Sequence, residues 1–194
     1  NELSTFRKIN SRLQGHPTPH EHLEGIRIAS GSLGQGLSVA IGVAQAKKLN
    51  NDSSIVYCLM GDGEQNEGQV WEAAMYAPHH KVDNLIAFID VNGQQIDGPT
   101  EKIMNNRDLQ LKYEAFGWKV LHVNGNDMAD LQVCISNAKK MLRSDIPIMI
   151  LMKTEMGAGV DFMMGSHAWH GKAPNDEQLD TAFKQLYLEA PADY

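Results

Sequence analysis

The 194-residue sequence has only two cysteines, few aromatic residues and no long hydrophobic run. Its longest apolar runs, around residues 55–60 and 148–152, have the length of strands, whereas a membrane-spanning helix needs about 20 apolar residues. The first residues also lack the charged start and apolar centre of a signal peptide. The sequence therefore predicts a protein that has no membrane partner.

Basic residues are also scarce: 17 Lys and Arg stand against 24 Asp and Glu, for a formal net charge of −7. This balance argues against a nucleic-acid partner, because phosphate binding calls for clustered Lys and Arg. The two cysteines, Cys58 and Cys134, both lie within apolar segments. We therefore expect buried free thiols and a reducing, cytoplasmic location rather than a disulfide.

Short apolar segments alternate with helical patterns through most of the sequence. This alternation predicts one α/β domain, with a mostly parallel central sheet and helices on both faces. The predicted strands are residues 55–60, 85–90, 119–123 and 147–153. The predicted helices are the second part of residues 31–49 and residues 67–77, 108–116, 128–142 and 176–188. Residues 157–174 form a long loop, and loops of this length are usually functional or mobile.

A polar motif follows each of the first two predicted strands. Gly61-Asp62-Gly63 comes directly after one strand, and Asn92 follows the next. Carboxylate and amide oxygens suit Mg²⁺ or Ca²⁺, and Mg²⁺ usually completes its coordination with phosphate oxygens. Glycines let a backbone approach a diphosphate closely, and the helix beginning near Glu67 adds a favourable N-terminus. The pair of motifs predicts a site for a metal-bridged diphosphate.

A second glycine-rich segment, Ser30-Gly31-Ser32-Leu33-Gly34-Gln35-Gly36, precedes an Ala-rich helical pattern. Its ordinary interpretation is a tight turn with close helix packing, which needs glycine for steric reasons alone. Its functional interpretation is a backbone that lies directly against a flat ligand. The nearby diphosphate motif favours the functional interpretation.

Several titratable residues also have two interpretations. His16 lies in a proline-bracketed loop and His170 in the long loop, where solvated histidines are more common than catalytic ones. His167 and His170 together would suit a metal, but no third His or Cys accompanies them at ligand spacing. Glu67 and Glu72 begin a helix, where acids often only complement the dipole. Glu72 lies among small residues, so a buried interface position is its alternative.

Taken together, these segments resemble the diphosphate-binding domain of transketolase, a family of thiamine diphosphate enzymes. The resemblance covers roughly residues 5–180. The Gly-Asp-Gly motif with a later Asn would fit any thiamine diphosphate enzyme. Two further segments narrow the resemblance to transketolases and close relatives, namely Gly31-Ser32-Leu33-Gly34-Gln35-Gly36 and His170-Gly171-Lys172-Ala173-Pro174.

The resemblance implies a role for each motif residue. A metal would bind the side-chain oxygens of Asp62 and Asn92 and the backbone carbonyl of Gln94. His16 and His170 would lie beside the reacting carbon as catalytic residues. The implied cofactor contacts are Gly31, Leu33, Gly61, Asp62, Gly63, Asn92, Ile96 and His170, with the Gly63 amide on the diphosphate.

The implied activity is two-carbon ketol transfer from ketose phosphates to aldose phosphates, as in the pentose phosphate pathway. Its cofactors would be thiamine diphosphate and Mg²⁺ (or Ca²⁺). The family's activating glutamate lies in a pyrimidine-binding domain that is absent from residues 1–194, as are the family's first residues, about 80 in number. We expect one diphosphate-binding domain that works with a separate C-terminal subunit, in a homodimer or heterotetramer. Glu67 and Glu72 would lie at that interface.

Two other functions fit parts of this pattern. One is a related thiamine diphosphate enzyme, either 1-deoxyxylulose-5-phosphate synthase or a 2-oxo acid dehydrogenase component. Glu64, Glu67 and the Trp169-His170-Gly171 segment favour transketolase over these enzymes. The other is a non-catalytic remnant that binds the cofactor and turns nothing over. The retained histidines and oxygen ligands argue against a remnant, because a scaffold needs none of them.

Overall fold

The computed structural model describes residues 2–186, which form six strands and six α-helices. The strands are β1 (Val56–Gly61), β2 (Leu85–Val91), β3 (Gln94–Gln95), β4 (Gly98–Pro99), β5 (Lys119–Asn124) and β6 (Ile148–Lys153). The helices are α1 (Gly36–Leu49), α2 (Gly68–His79), α3 (Thr100–Ile103), α4 (Leu109–Phe116), α5 (Met128–Met141) and α6 (Asp176–Gln185). Each predicted strand and helix is confirmed, with ends that shift by a few residues. The predicted helix of residues 176–188 extends in part outside the described residues.

The four long strands form one parallel sheet in the order β1-β2-β6-β5. The register pairs Gly61 with Asp90, and Asp90 with Met152. The carboxyl ends of β1, β2 and β6 therefore lie side by side, which brings the two polar motifs to one edge of the sheet. Strands β3 and β4 form a separate antiparallel hairpin directly after β2.

Helices cover both faces of the sheet, as predicted. Helices α1, α2 and α4 pack on one face, where residues such as Ala87, Ile89 and Met149 form the larger core. In α1 the buried residues recur at the helical spacing of three and four, and they are Leu37, Ala40, Ile41 and Ala44. Parallel strands buried on both faces have near-continuous apolar sequences, and β2 and β6 follow that rule.

The opposite face carries α5 and a smaller core around Phe88 and Ile150. Cys134 of α5 packs there, whereas Cys58 points into the larger core, so the sheet separates the two thiols. Both cysteines are free, as the sequence predicted, but only Cys58 is buried, whereas Cys134 is half-buried. Within residues 2–186, none of the helices combines the length and apolar character that crossing a bilayer requires.

Candidate cofactor site

Asp62 begins a short 3₁₀ turn that connects β1 to α2, and residues 61–66 are called the Asp62 turn below. Its side chain is only 3% exposed, and Oδ2 accepts the N–H of Gly93 at 2.7 Å. Burial raises the pKa of Asp62, although hydrogen bonds from the N–H groups of Gly93 and Gly63 oppose that rise. No described residue forms an ion pair with Asp62. A buried carboxylate without a cationic partner fits a site for a bound cation.

Asn92 follows β2 and is fixed in orientation by its neighbours. Its Oδ1 accepts the N–H of Gln94 at 2.8 Å, and its Nδ2 donates to Asp90 at 3.2 Å. The other oxygen of Asp90 accepts the hydroxyl hydrogen of Thr154, which directly follows the neighbouring strand β6. Asp62 bonds Gly93, which lies between Asn92 and Gln94, so the three predicted metal ligands meet around one turn. Their carboxylate, amide and carbonyl oxygens are the donor set that Mg²⁺ and Ca²⁺ prefer.

The hairpin after Asn92 contains polar atoms that have no protein partner. Gln94 Oε1 and Gln95 Nε2 are both buried, and neither has a hydrogen-bond partner within residues 2–186. Gln95 also packs against the Asp62 turn, since a Cβ added to Gly63 would lie 2.9 Å from its Cβ. Buried polar groups are normally satisfied, so unpaired atoms beside the metal ligands fit a ligand site. The approach of the hairpin explains why glycine follows Asp62.

The glycine loop, defined as residues 30–36, lies between the Asp62 turn and the N-terminal segment. Gly31 has a φ of +99°, and a Cβ built there would lie 2.7 Å from Cγ of His16. The imidazole of His16 therefore packs directly on the loop, as expected for residues sharing one site. Leu33 of the same loop is 57% exposed. The loop thus presents an apolar side chain and a bare backbone to the outside, which suits a flat ligand.

A cavity of about 560 Å³ lies at the carboxyl ends of β1, β2 and β6. Its wall includes Asp90, Asn92, Thr154, Trp169 and His170. The structure therefore brings His170 across from a predicted metal ligand, although the two residues lie far apart in the sequence. The indole N–H of Trp169 donates to the Phe162 carbonyl at 2.8 Å and fixes this part of the long loop.

Other predicted residues lie outside this cavity wall. Ile96 is 66% exposed on the hairpin, and His16 packs on Gly31 of the glycine loop. Glu67 and Glu72 are exposed at the start of α2, so the burial considered for Glu72 does not occur within this chain. A larger groove of about 1400 Å³ runs along β5 and α5, and Asn92 is the one predicted site residue in its wall.

The hydrogen bond between Gly61 and Glu64 was not expected from the sequence. The N–H of Gly61 donates to the Glu64 carboxylate at 3.3 Å, so this predicted cofactor contact has its donor already engaged. Asp90, Thr154, Gln95 and Glu64 are site neighbours that the motifs did not assign. Asp90 and Glu64 stand within the two motifs, which was a usable signal. Their distant partners, Gly34 for Glu64 and Thr154 for Asp90, are not revealed by any local pattern.

The fold and site together define a class of protein. A parallel α/β sheet that collects polar groups at the carboxyl ends of its strands is a ligand-binding domain of the doubly wound type. The chain belongs to the transketolase family: the model for the transketolase, thiamine diphosphate binding domain matches residues 1–193. This match confirms the resemblance that the motifs indicated.

Relatives and solved structures agree with that assignment. The chain is 39% identical over 187 residues to a subunit of the apulose-4-phosphate transketolase of Phocaeicola vulgatus, covering 94% of this chain and 63% of that protein. It is also 39% identical to a subunit of the 6-deoxy-6-sulfo-D-fructose transketolase of Clostridium sp. (strain MSTE9), covering 96% and 67%. The crystal structure of transketolase from Campylobacter jejuni matches with a TM-score of 0.87 at 35% identity, covering 97% of this chain and 30% of that one. The chain thus spans less than two thirds of the Phocaeicola relative.

Proposed function

We propose that this chain holds the diphosphate end of thiamine diphosphate through Mg²⁺ (or Ca²⁺). The metal would bind Asp62, Asn92 and the backbone carbonyl of Gln94, and the N–H of Gly63 would donate to the diphosphate. The observation that carries the proposal is the buried Asp62 carboxylate, which has no cationic partner in the described chain and lies against the turn of Asn92 and Gln94. The family match supports the identity of the cofactor.

The remaining site residues have roles that follow from their positions. Gly31, Leu33 and Ile96 would contact the rings of the cofactor, and both apolar side chains are exposed and free to do so. His170 lines the same cavity as Asn92, where an imidazole can donate to a diphosphate and to a substrate hydroxyl. His16 packs on the backbone of the glycine loop, where it can hold substrate hydroxyls and move protons.

The reaction that we propose is two-carbon ketol transfer between sugar phosphates, of the kind used in the cytoplasmic pentose phosphate pathway. Bound thiamine diphosphate supplies the carbanion stabilisation, and the chain supplies position and proton transfer. The names of two relatives specify apulose 4-phosphate and 6-deoxy-6-sulfo-D-fructose, which supports a ketose substrate carrying an anionic group. The donor sugar is therefore the first variable for substrate profiling.

We further propose that a separate C-terminal subunit with the pyrimidine-binding domain completes the enzyme, in a homodimer or heterotetramer. Two relatives are subunits by name, and the chain spans 63% and 67% of them but only 30% of the Campylobacter enzyme. Glu67 and Glu72 are exposed at the start of α2, where a partner can reach them. Both acids would join this interface and link to the partner's activating glutamate.

Titration calorimetry with thiamine diphosphate tests the metal site. We expect binding that requires Mg²⁺ and is lost in a chelating buffer, measured with the chain alone and with a co-expressed C-terminal subunit. Asp62→Ala should weaken binding at least about a hundredfold, because removing even a residue that only supports a metal ligand costs ten- to a hundredfold. Asp180→Ala, which alters an exposed acid of α6, is the matched control. Equal affinity with and without a divalent cation would contradict the proposal.

A further inference from the structure

Glu64 follows the Gly61-Asp62-Gly63 motif, and its side chain joins the Asp62 turn to the glycine loop. Oε1 accepts the N–H of Gly34 at 2.8 Å, and Oε2 accepts the N–H of Gly61 at 3.3 Å. One half-buried carboxylate therefore satisfies two backbone donors from segments that are distant in sequence. Hydrogen bonds to an ionised acceptor are roughly twice as strong as neutral ones.

The hydrogen bond to Glu64 is the main polar attachment of the glycine loop on the side that faces the strand ends. Within residues 2–186, it is the one hydrogen bond that joins loop residues 31–35 to the strand ends. The other external bond of the loop runs from Ser30 to the Pro17 carbonyl in the N-terminal segment. Without Glu64, the sheet side of the loop would be held by packing alone.

Packing limits the loop from the other direction. Gly34 is buried with a φ of +86°, and a Cβ built there would lie 2.7 Å from Cβ of Glu67. The loop backbone is thus pressed against the N-cap of α2 while Glu64 holds its N–H. The Glu64 carboxylate is also close enough to affect Cys58. Burial raises the pKa of this thiol to about 12, and the negative charge of Glu64 adds to the rise.

We infer that Glu64 is a positioning residue that sets the distance between the glycine loop and the Asp62 turn. The inference rests on the proposed function, in which these two segments contact the rings and the diphosphate of one cofactor. In that function, Glu64 is not itself a contact of the cofactor. It acts through the N–H groups of Gly34 and Gly61, and it does not bond the N–H of Gly63.

Two substitutions separate the charge of Glu64 from its reach. Glu64→Gln keeps the volume but has a single oxygen, so its NH₂ group meets one of the two N–H donors. Glu64→Asp keeps the charge but is shorter by one methylene, so it cannot bond both donors in this backbone. Glu114→Gln, on the exposed surface of α4, is the matched control for a lost carboxylate.

The first measurement is amide hydrogen exchange in the full-length chain without cofactor. Exchange at Gly34 or at Gly61 should rise about tenfold or more in each Glu64 variant, because neither variant can bond both N–H groups; this rise is the loss expected for one bond to a charged group. Exchange at Ile89, in the buried centre of β2, reports global unfolding and is the internal reference. Gly34 and Gly61 amides that both stay as protected as before, relative to Ile89, would overturn the inference.

The second measurement is the dissociation constant of thiamine diphosphate with Mg²⁺, with the C-terminal subunit present. Both Glu64 variants should bind about tenfold or more weakly, while Glu114→Gln binds as the unaltered chain does. Unchanged affinity in Glu64→Gln would also overturn the inference. Failure of the unaltered complex to bind the cofactor would instead reject the proposed function, and the inference with it. The Gly34 and Gly61 exchange data distinguish these two failures.

Discussion

Gly31 and Gly42 show how differently two glycines of one glycine-rich stretch are used. Gly31 has a φ of +99° and carries the imidazole of His16 on its backbone. Gly42 lies inside α1, and a Cβ built there meets nothing within 4 Å. The first glycine is required by its backbone angle and its neighbour, whereas the second costs helix stability because glycine loses more entropy than alanine on folding.

The two glycines therefore predict opposite responses to alanine. Gly31→Ala should destabilise the chain by about 1–3 kcal/mol, because a side chain at positive φ is strained and collides with His16. Gly42→Ala should stabilise it by about 0.5–1 kcal/mol. Urea unfolding measures both changes, and cofactor affinity should fall only for Gly31→Ala. If Gly31→Ala leaves the free energy of unfolding unchanged, the loop relaxes around the added methyl group and the predicted strain is wrong.

Local sequence predicted which motifs lie together better than it predicted the hydrogen bonds between them. Asp62 and Asn92 stand directly after apolar strands, so the parallel sheet alone predicted that they meet. Glu64 stands in the same motif, yet its acceptor role depends on Gly34, which is 30 residues away. A carboxylate in a turn has many acceptable donors, and only the tertiary packing of the loop selects one.

At the scale of elements, Asp83 connects three parts of the chain at the amino-terminal edge of the sheet. Its side chain is nearly buried and accepts hydrogen bonds from Lys48 of α1 at 2.8 Å and from the N–H of Asp145 at 3.2 Å. Burial by itself would raise the pKa of Asp83, but Lys48 and the Asp145 N–H outweigh it and hold the pKa below its usual range. The junction thus ties α1, the entry to β2 and the entry to β6.

A depressed carboxyl pKa gives stability that is present above the unfolded value and is lost as pH falls through the folded value. Asp83→Asn should therefore cost about 1 kcal/mol at neutral pH, since solvent around Lys48 screens part of the interaction. The difference from the unaltered chain should shrink below about pH 4, where unfolded Asp becomes protonated. Unfolding curves across pH 3–7 measure this pH dependence, and a double-mutant cycle with Lys48→Met isolates the interaction between Asp83 and Lys48. A difference independent of pH would contradict the assignment.

The long elements were predictable and the short ones were not. Strands such as β2 and helices such as α5 carry enough apolar residues to show a period, and Asp127 marks the start of α5 as its cap. The hairpin of β3 and β4 has two residues in each strand, which is too short for any alternation. Two features fix the hairpin. Gly98 adopts a φ of +145°, and Gln95 packs on the Asp62 turn.

At the scale of the whole molecule, Leu33 and Ile96, the proposed contacts to the cofactor rings, are exposed. This exposure predicts that activity depends on a second chain. The chain alone should show no ketol transfer with xylulose 5-phosphate and ribose 5-phosphate, because the proposed site lacks the pyrimidine half. Adding the C-terminal subunit should restore turnover, which a coupled assay of the aldose product measures. Pyruvate as donor is the control that separates a related thiamine diphosphate enzyme. Turnover by the chain alone would rule out the split arrangement.

The strand order β1-β2-β6-β5 has a consequence for how the chain is made. Strand β6 is the last of the described strands in sequence, yet it pairs on both sides and forms the centre of the sheet. During synthesis, β2 and β5 must therefore wait with unpaired edges, which are sites for unwanted association. The sheet closes only after Lys153 has left the ribosome, so complete pairing of its four strands waits for the synthesis of β6.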